Sequence, residues 1–133
     1  MPLVRVDNWG LRDPELLRLV RSLSEIVADA LSVGGVGHGG LLSMNDIEVV
    51  VRHGLAIDIH GKADYGISIE AMHFPEREEK LPRAVLEIKK GVLENGGLGY
   101  TGYVWITLVP AEFGEINDFD TVGDVERELK ALE

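Results

Sequence analysis

Pro2, which directly follows the initiator methionine, is the residue of this chain whose chemistry stands out most. Cells usually remove an initiator methionine that precedes a small residue, and a proline left at the N-terminus then carries a free secondary amine. Such an amine can take up a proton and return it, which makes Pro2 a candidate catalytic residue. A second interpretation is structural. Proline cannot donate a hydrogen bond to a sheet, so it belongs on an edge strand or at the first position of a strand.

The other residue types predict neither a metal site nor a phosphate site. Histidines stand at positions 38, 53, 60 and 73. His60 and His73 fall on opposite arms of a predicted hairpin but out of register, and no HxH or HExxH spacing occurs. The stretch GGVGHGG lacks the Lys-Ser/Thr of a phosphate loop and follows a helix rather than a strand. We therefore expect no metal and no cofactor, and we interpret the glycines as a mobile connection.

Four aromatic residues are candidates for the wall of an apolar pocket: Trp9, Tyr100, Tyr103 and Trp105. Among these we select Tyr103 as a candidate substrate-binding residue. The alternation of residues 103, 105 and 107 along a predicted strand favours ordinary sheet packing instead, so both interpretations stay open.

Composition and charge limit the classes of protein that this chain can belong to. Its 133 residues suit one domain, and 45% are hydrophobic. A net charge of −10 argues against binding to nucleic acid or to an anionic membrane. No apolar run approaches the roughly 20 residues that span a bilayer. Without cysteine there is no disulfide or thiolate zinc site, and a cytoplasmic location is expected.

The order of predicted elements is strand, helix, strand, then the same again. Strands are predicted over 2–7, 46–52 and 100–110, with a hairpin over 55–74 whose arms carry Ile57/Ile59 and Ile67/Ile69. Helices are predicted over 13–31, with Asp13 as N-cap, and over roughly 80–94, with Pro82 in the first turn. A short amphipathic helix over about 121–132 is expected to pack onto the body or onto a neighbouring subunit.

These elements predict one α+β, two-layer domain over residues 1–133. Residues 2–53 form one β-α-β half and residues 55–110 the hairpin and the second half, while residues 111–133 form an acidic tail with a net charge of −6. We expect one four-stranded mixed sheet with two helices on one face, a hairpin extension and a short C-terminal helix. Two arrangements share this order: a ferredoxin-like fold, in which the strands of the halves interleave, and a fold in which each half keeps its two strands adjacent.

The second arrangement, together with the initial MP, resembles the tautomerase superfamily and its macrophage migration inhibitory factor-like fold. The greatest similarity is to the 5-carboxymethyl-2-hydroxymuconate isomerase branch. It is carried by IHGKADYGISIEAMHF and by the following loop and helix, PEREEKLPRAVLEIKKGVLEN. The resemblance covers about residues 2–110 and leaves the acidic tail unmatched.

The resemblance implies a cofactor-independent enzyme that is a homotrimer. Its N-terminal proline would move a proton between carbon and oxygen of a small keto-enol carboxylic acid, the expected substrate. A proline amine is suited to this role, because burial beside apolar walls lowers the pKa of an amine. A base whose pKa lies near the working pH is also the most effective one. Pro2 is the residue to which this role transfers.

The resemblance also implies arginines that hold the substrate carboxylate through paired hydrogen bonds. In the isomerase branch one such arginine lies early in the second strand, where this chain has Glu48. Arg52 could replace it or be an exposed strand end, and Arg77 matches the second arginine or pairs with neighbouring glutamates. Arg5 shares a strand face with Leu3; it could lie near Pro2 or form a salt bridge at a trimer interface.

Two functional hypotheses follow from these residues. The first is the tautomerase or isomerase described above. The second is a non-catalytic, oligomeric binding or structural protein of the same fold, which Glu48 and the sparse basic groups favour. If Met1 stays attached, the Pro2 nitrogen is an amide without basicity, and only the second hypothesis remains.

Overall fold

The computed structural model of the chain describes residues 2–54, 61–111 and 116–133. The strands are β1 (Leu3–Asn8), β2 (Glu48–His53), β3 (Tyr65–Met72) and β4 (Gly102–Val109). The helices are α1 (Asp13–Leu31), α2 (Pro75–Glu79), α3 (Leu81–Val92) and α4 (Val122–Ala131). Met1 and the first arm of the predicted hairpin, with Ile57, Ile59 and His60, lie outside the described residues.

The four strands form one mixed sheet in the order β2-β1-β3-β4. Within each half the strands are parallel neighbours, β1 with β2 and β3 with β4, and β1 meets β3 antiparallel at the centre. Each half therefore keeps its own strands adjacent, which confirms the predicted four-stranded mixed sheet and excludes the interleaved arrangement.

Helix α1 has the bounds that its sequence predicts, but its N-terminus differs in detail. Asp13 is the first helical residue, and Arg12 occupies the N-cap position without a side-chain cap. Pro14 lies in the first turn, where a missing N–H breaks no helical hydrogen bond. The leucine stripe of this helix, including Leu19 and Leu23, is buried against the sheet.

The predicted helix over 80–94 is helix α3 followed by a terminal turn. Pro82 lies in the first turn of α3 as expected, and the helix gives way at Leu93 to a wider turn through Gly97. Before it, α2 occupies a segment that the sequence interpretation assigned to a loop. Pro75 starts α2 at the position where proline is favoured, which is the local signal for this five-residue helix.

Helices α1 and α3 cover one face of the sheet and leave the other open. On the covered face the central valines and isoleucines are fully buried: Val4, Val6, Ile67 and Ile69. The open face is formed by the alternate residues of each strand, among them Leu3, Arg5, Val50 and Trp105.

Helix α4 forms as predicted, and Thr121 caps its N-terminus by accepting a hydrogen bond from the Asp124 N–H. It buries none of its residues, and Val122, Val125 and Leu129 are exposed. The expected packing of this stripe onto the body of the same chain is therefore not found among the described residues.

None of the helices in the described part of the chain is both long enough and apolar enough to cross a membrane.

The buried face of α1 should carry much of the folding free energy. We expect Leu23→Ala to lower the free energy of unfolding by about 2–5 kcal/mol, because it removes a fully buried side chain and leaves a cavity. Leu17→Ala on the same helix, at a side chain that is 50% exposed, should change it by only about 0.5 kcal/mol. Urea unfolding at one protein concentration, followed by circular dichroism, measures both. Equal losses would contradict the assigned face.

Candidate functional site

The strand directions give the sheet two distinct ends. The starts of β1 and β2 meet the ends of β3 and β4 at one end, which we call the Pro2 end. The opposite end holds the starts of β3 and β4, and we call it the Tyr103 end. This division decides which candidate residues can meet within one chain.

Pro2 is buried at the head of β1, and its carbonyl accepts a hydrogen bond from the Glu48 N–H at 3.1 Å. By strand alternation Pro2 belongs to the helix-covered side, with Val4 and Val6. Strand β1 is paired on both sides, so Pro2 does not belong to an edge strand. Pro2 directly precedes the central strand β1, and the start of a strand is, besides an edge strand, a position where proline is tolerated.

Arg77 is also at the Pro2 end, where it is completely buried. Its Nε donates to the Leu31 carbonyl at 2.8 Å and its Nη1 to that of Met72 at 2.7 Å. Its Nη2 donates to the carbonyls of Gly39 and Gly40 at 2.9 and 3.1 Å. Burial lowers the pKa of Arg77 from its usual value, yet arginine keeps its charge in proteins.

These contacts agree with neither of the two interpretations of Arg77. It forms no ion pair with the neighbouring glutamates in the described part of the chain, and Glu78 pairs with His73 instead. Four hydrogen bonds to backbone carbonyls leave only one of its five N–H groups. The structure thus assigns the Arg77 guanidinium to the backbone rather than to a substrate carboxylate.

The glycine-rich loop after α1 is held by further hydrogen bonds. Ser32 Oγ accepts from the Leu42 N–H at 2.9 Å, and the Val33 N–H donates to the Gly40 carbonyl at 2.8 Å. Lys80 Nζ donates to the Ser32 carbonyl at 2.8 Å. The loop predicted as a mobile connection is therefore tied down at its two ends by a serine and by two cationic side chains, Lys80 and Arg77.

Arg5 and Arg52 meet on the open face, on the side of the sheet away from Pro2. Both Nε atoms donate to Asp7, at 3.3 Å from Arg5 and 2.9 Å from Arg52, and the Asp7 carboxylate is buried. Arg52 pairs in register with Asp7, five residues along β1 from Pro2. At about 3.3 Å per residue this places Arg52 roughly 16 Å from Pro2 along the strand.

Tyr103 lies in the same cross-strand row as Asp7 and Arg52, at the Tyr103 end of the open face. Its ring packs over Gly66, where any Cβ would collide with it. Trp105 lies one row nearer to the Pro2 end and is 67% exposed. The predicted alternation of residues 103, 105 and 107 is present. Their side chains lie on the open face of the sheet and do not form a closed pocket with Pro2.

A single chain thus separates the residues that the sequence selects. Pro2 and Arg77 are at one end, Arg52 and Tyr103 are at the other, and Arg5 lies between them on the open face. Within one chain, Pro2 therefore does not share a site with Arg52 or Tyr103.

Asp7 is the functional-site residue that sequence reasoning missed. It fixes both open-face arginines, although the chain carries a large excess of acidic residues in which one aspartate does not stand out. A usable signal was its spacing of two from Arg5, which puts both side chains on one face of a strand. Its pairing with Arg52, 45 residues away, has no local signal.

Within the described residues no group of three or more His, Asp or Glu side chains could hold a metal ion.

No family model and no curated protein matches this sequence. Solved structures do match the chain. A fused 4-OT in a symmetric trimer superposes with a TM-score of 0.58 at 14% identity, over 87% of this chain and 92% of that chain. Macrophage migration inhibitory factor from Oncomelania hupensis gives 0.57 at 16% identity, over 99% and 90%. Malonate semialdehyde decarboxylase gives 0.56 at 13% identity, over 86% and 92%.

At these identities the likeness concerns the fold alone. The chain has the fold of the tautomerase superfamily, as the resemblance of its sequence predicted. The order of its four strands and its two covering helices agree with that assignment.

The Arg77 contacts should be essential for stability at the Pro2 end. We expect Arg77→Met to lower the free energy of unfolding by roughly 3 kcal/mol or more, because up to four carbonyls lose their donor. Arg83→Met is the matched control, since Arg83 is exposed and pairs only with Glu87; it should cost under about 1 kcal/mol. Chemical unfolding compares the two. If both variants lose the same amount, Arg77 does not hold this end together.

Proposed function

We propose that this protein is a cofactor-independent tautomerase or isomerase that shifts a proton on a small keto-enol carboxylic acid, with Pro2 as base and acid. The observation that carries the proposal is the place of Pro2, buried at the head of central strand β1 in a tautomerase-superfamily fold. Several proteins with this fold are enzymes by name, including malonate semialdehyde decarboxylase. The lack of cysteine is compatible with a reaction in the cytoplasm.

The proposed reaction needs only one proton carrier. With Met1 removed, the Pro2 nitrogen is a secondary amine that takes a proton from the hydroxyl or carbon of the substrate. The resulting enolate is an anion, and the Pro2 ammonium then returns the proton to the other position. The same proton leaves and re-enters the substrate, so no oxidant, reductant or second substrate is consumed.

The cation for the substrate carboxylate comes, in this proposal, from an adjacent copy of the chain. Arg52 and Tyr103 lie roughly 16 Å along the sheet from the row of Pro2, and Arg5 is on the opposite side of the sheet. We propose that Arg5, Arg52 and Tyr103 of one copy face the Pro2 end of the next. The substrate-binding role of these residues is therefore a role in an assembly.

A homotrimer is the assembly that we propose. The open face carries exposed apolar side chains, among them Leu3, Val50 and Trp105, which a neighbouring copy would remove from water. Strands β2 and β4 are the lateral edges of the sheet, and each leaves one side of its backbone unpaired. Matching structures with this fold include fused 4-OT trimers.

A second candidate function is a non-catalytic binding or structural protein of the same fold. Two observations favour it. Arg77 is committed to backbone carbonyls, and Glu48, of the wrong charge for a carboxylate ligand, lies beside Pro2 in the sheet. Assembly and ligand binding would then remain without proton transfer.

Activity on a generic enol separates the two functions. We expect the full-length protein to ketonise phenylenolpyruvate, and Pro2→Ala to lower the rate about 100-fold through loss of the positioned base. Pro110→Ala is the control, because this proline is exposed at the end of β4. It should leave the rate unchanged, as followed by ultraviolet absorbance.

Intact-mass spectrometry of the same preparation establishes whether Met1 has been removed. A processed chain whose Pro2→Ala variant matches the parent rate would exclude Pro2 as a catalyst. A native cellular product that retains Met1 would favour the non-catalytic protein.

The open face should determine assembly. Light scattering after size-exclusion chromatography should give three times the mass of one chain. Trp105→Asp should lower the measured mass, because it places a charge in the proposed interface. Leu86→Asp, at an exposed leucine of α3, should leave the trimer intact. A parent protein that stays monomeric, or a Trp105→Asp variant that stays trimeric, would contradict this arrangement.

A further inference from the structure

A pocket of about 360 Å³ lies between α3 and the start of β4, at the Tyr103 end of the chain. Its walls include Tyr65, Val85, Lys89, Tyr100 and Tyr103. The volume is in the range of small-molecule sites, which combine apolar and aromatic walls with a few polar groups. The two polar groups that matter here are a phenol and an ammonium.

The phenol belongs to Tyr65, the first residue of β3, which is only 5% exposed. Its ring packs over the backbone of Gly102, where a Cβ would collide with it, so the ring is held between β4 and α3. The hydroxyl makes no hydrogen bond to protein within the part of the chain that the structure describes. Among the buried side-chain polar atoms of the described residues only Glu15 Oε2 lacks a partner, so the Tyr65 hydroxyl is accessible from the pocket, where an acceptor on a ligand can reach it.

The Tyr65 hydroxyl can donate a hydrogen bond to a ligand only while it stays protonated. Burial raises the pKa of Tyr65 above its usual value, and the nearby Asp64 carboxylate adds to the shift. The hydroxyl thus stays neutral at physiological pH and carries a hydrogen to donate.

The ammonium belongs to Lys89, on the side of α3 that lines the pocket. Lys89 forms no ion pair among the described residues, whereas the next residue, Lys90, lies 3.8 Å from Glu94. A lysine without an ion pair in the lining of a partly apolar pocket favours an anionic ligand, because the apolar walls reduce the screening of its charge by water.

We propose that this pocket binds a small aromatic carboxylate, with Lys89 pairing with the carboxylate and the Tyr65 hydroxyl donating a hydrogen bond to the ligand. The site is separate from Pro2 within one chain. Tyr65 pairs in register with Asn8, six residues along β1 from Pro2, a separation of roughly 20 Å. The proposal does not depend on the catalytic role of Pro2.

Phenylacetate is the test probe, and isothermal titration calorimetry of the full-length protein is the measurement. We expect saturable binding, weakened about fivefold or more by Lys89→Gln and about fivefold by Tyr65→Phe, as for loss of one hydrogen bond. Lys90→Gln, which removes the neighbouring positive charge on the same helix, should change the affinity by less than about twofold. The neutral isostere 2-phenylacetamide should bind the parent more weakly and should be insensitive to Lys89→Gln.

A Pro2→Ala background makes this test independent of the proposed function. Binding of phenylacetate that survives Pro2→Ala and responds to Lys89→Gln supports the pocket, whether or not the protein is an enzyme. Binding that disappears with Pro2→Ala places the probe at the other end of the sheet and overturns the proposal. So does an absence of saturable binding, or an equal response to Lys89→Gln and Lys90→Gln. If Tyr65→Phe does not fold, the comparison of Lys89→Gln with Lys90→Gln and the binding of 2-phenylacetamide still test the proposal.

Discussion

The buried guanidinium of Arg77 joins three separate parts of the chain at the Pro2 end. It binds the last turn of α1, two successive carbonyls of the glycine-rich loop, and the end of β3, and it lies 5.2 Å from the centre of the Phe74 ring. No carboxylate is among these partners. The charge is instead stabilised by oriented carbonyl dipoles, including that of Leu31 at the negative end of a 19-residue helix.

This constraint explains why the Pro2 end has a defined shape although a glycine-rich loop passes through it. With its carbonyls bound by Arg77 and by Lys80, the loop is fixed to the helices that follow β3. The Glu48 N–H then meets the Pro2 carbonyl, and Pro2 is enclosed at the head of the central strand. The same hydrogen bonds occupy the Arg77 guanidinium, so that Arg77 is not available to bind a substrate carboxylate at the end that holds the proline.

The open face has the complementary composition. Its arginines are gathered by one buried aspartate, and its exposed aromatic residues lie along β4. One chain therefore presents a proline at one end and cations and aromatic residues on another surface, and this separation is the chemical argument for the assembly that we propose. The pocket beside α3 is a further polar and aromatic environment, separate from Pro2 but sharing Tyr103 with the open face.

The fold was predictable because its signals are local and repeated. The leucine periodicity and Pro14 predicted the bounds of α1, and the alternating and continuous apolar runs located the strands. The two similar halves left two strand orders open, and the resemblance to the tautomerase superfamily favoured the one that the structure has. Helix α2 was missed because five residues carry too little periodicity for a helix to be inferred from them. The separation of α3 from its terminal turn at Leu93 depends on backbone geometry that the glycines at 96 and 97 permit but do not specify.

The sequence by itself determined the strands and the longer helices, their two-layer arrangement and the position of Pro2 at the head of the first strand, because these follow from hydrophobic periodicity and from the chemistry of single residues. Only the tertiary structure decided what the long polar side chains do. Arg77 could pair with adjacent glutamates or with carbonyls 37 to 46 residues away, and burial selected the carbonyls. Asp7 and Tyr65 likewise acquired their roles from strands that are distant in sequence and adjacent in the sheet, since a side chain's partner is set by which surfaces are removed from water together.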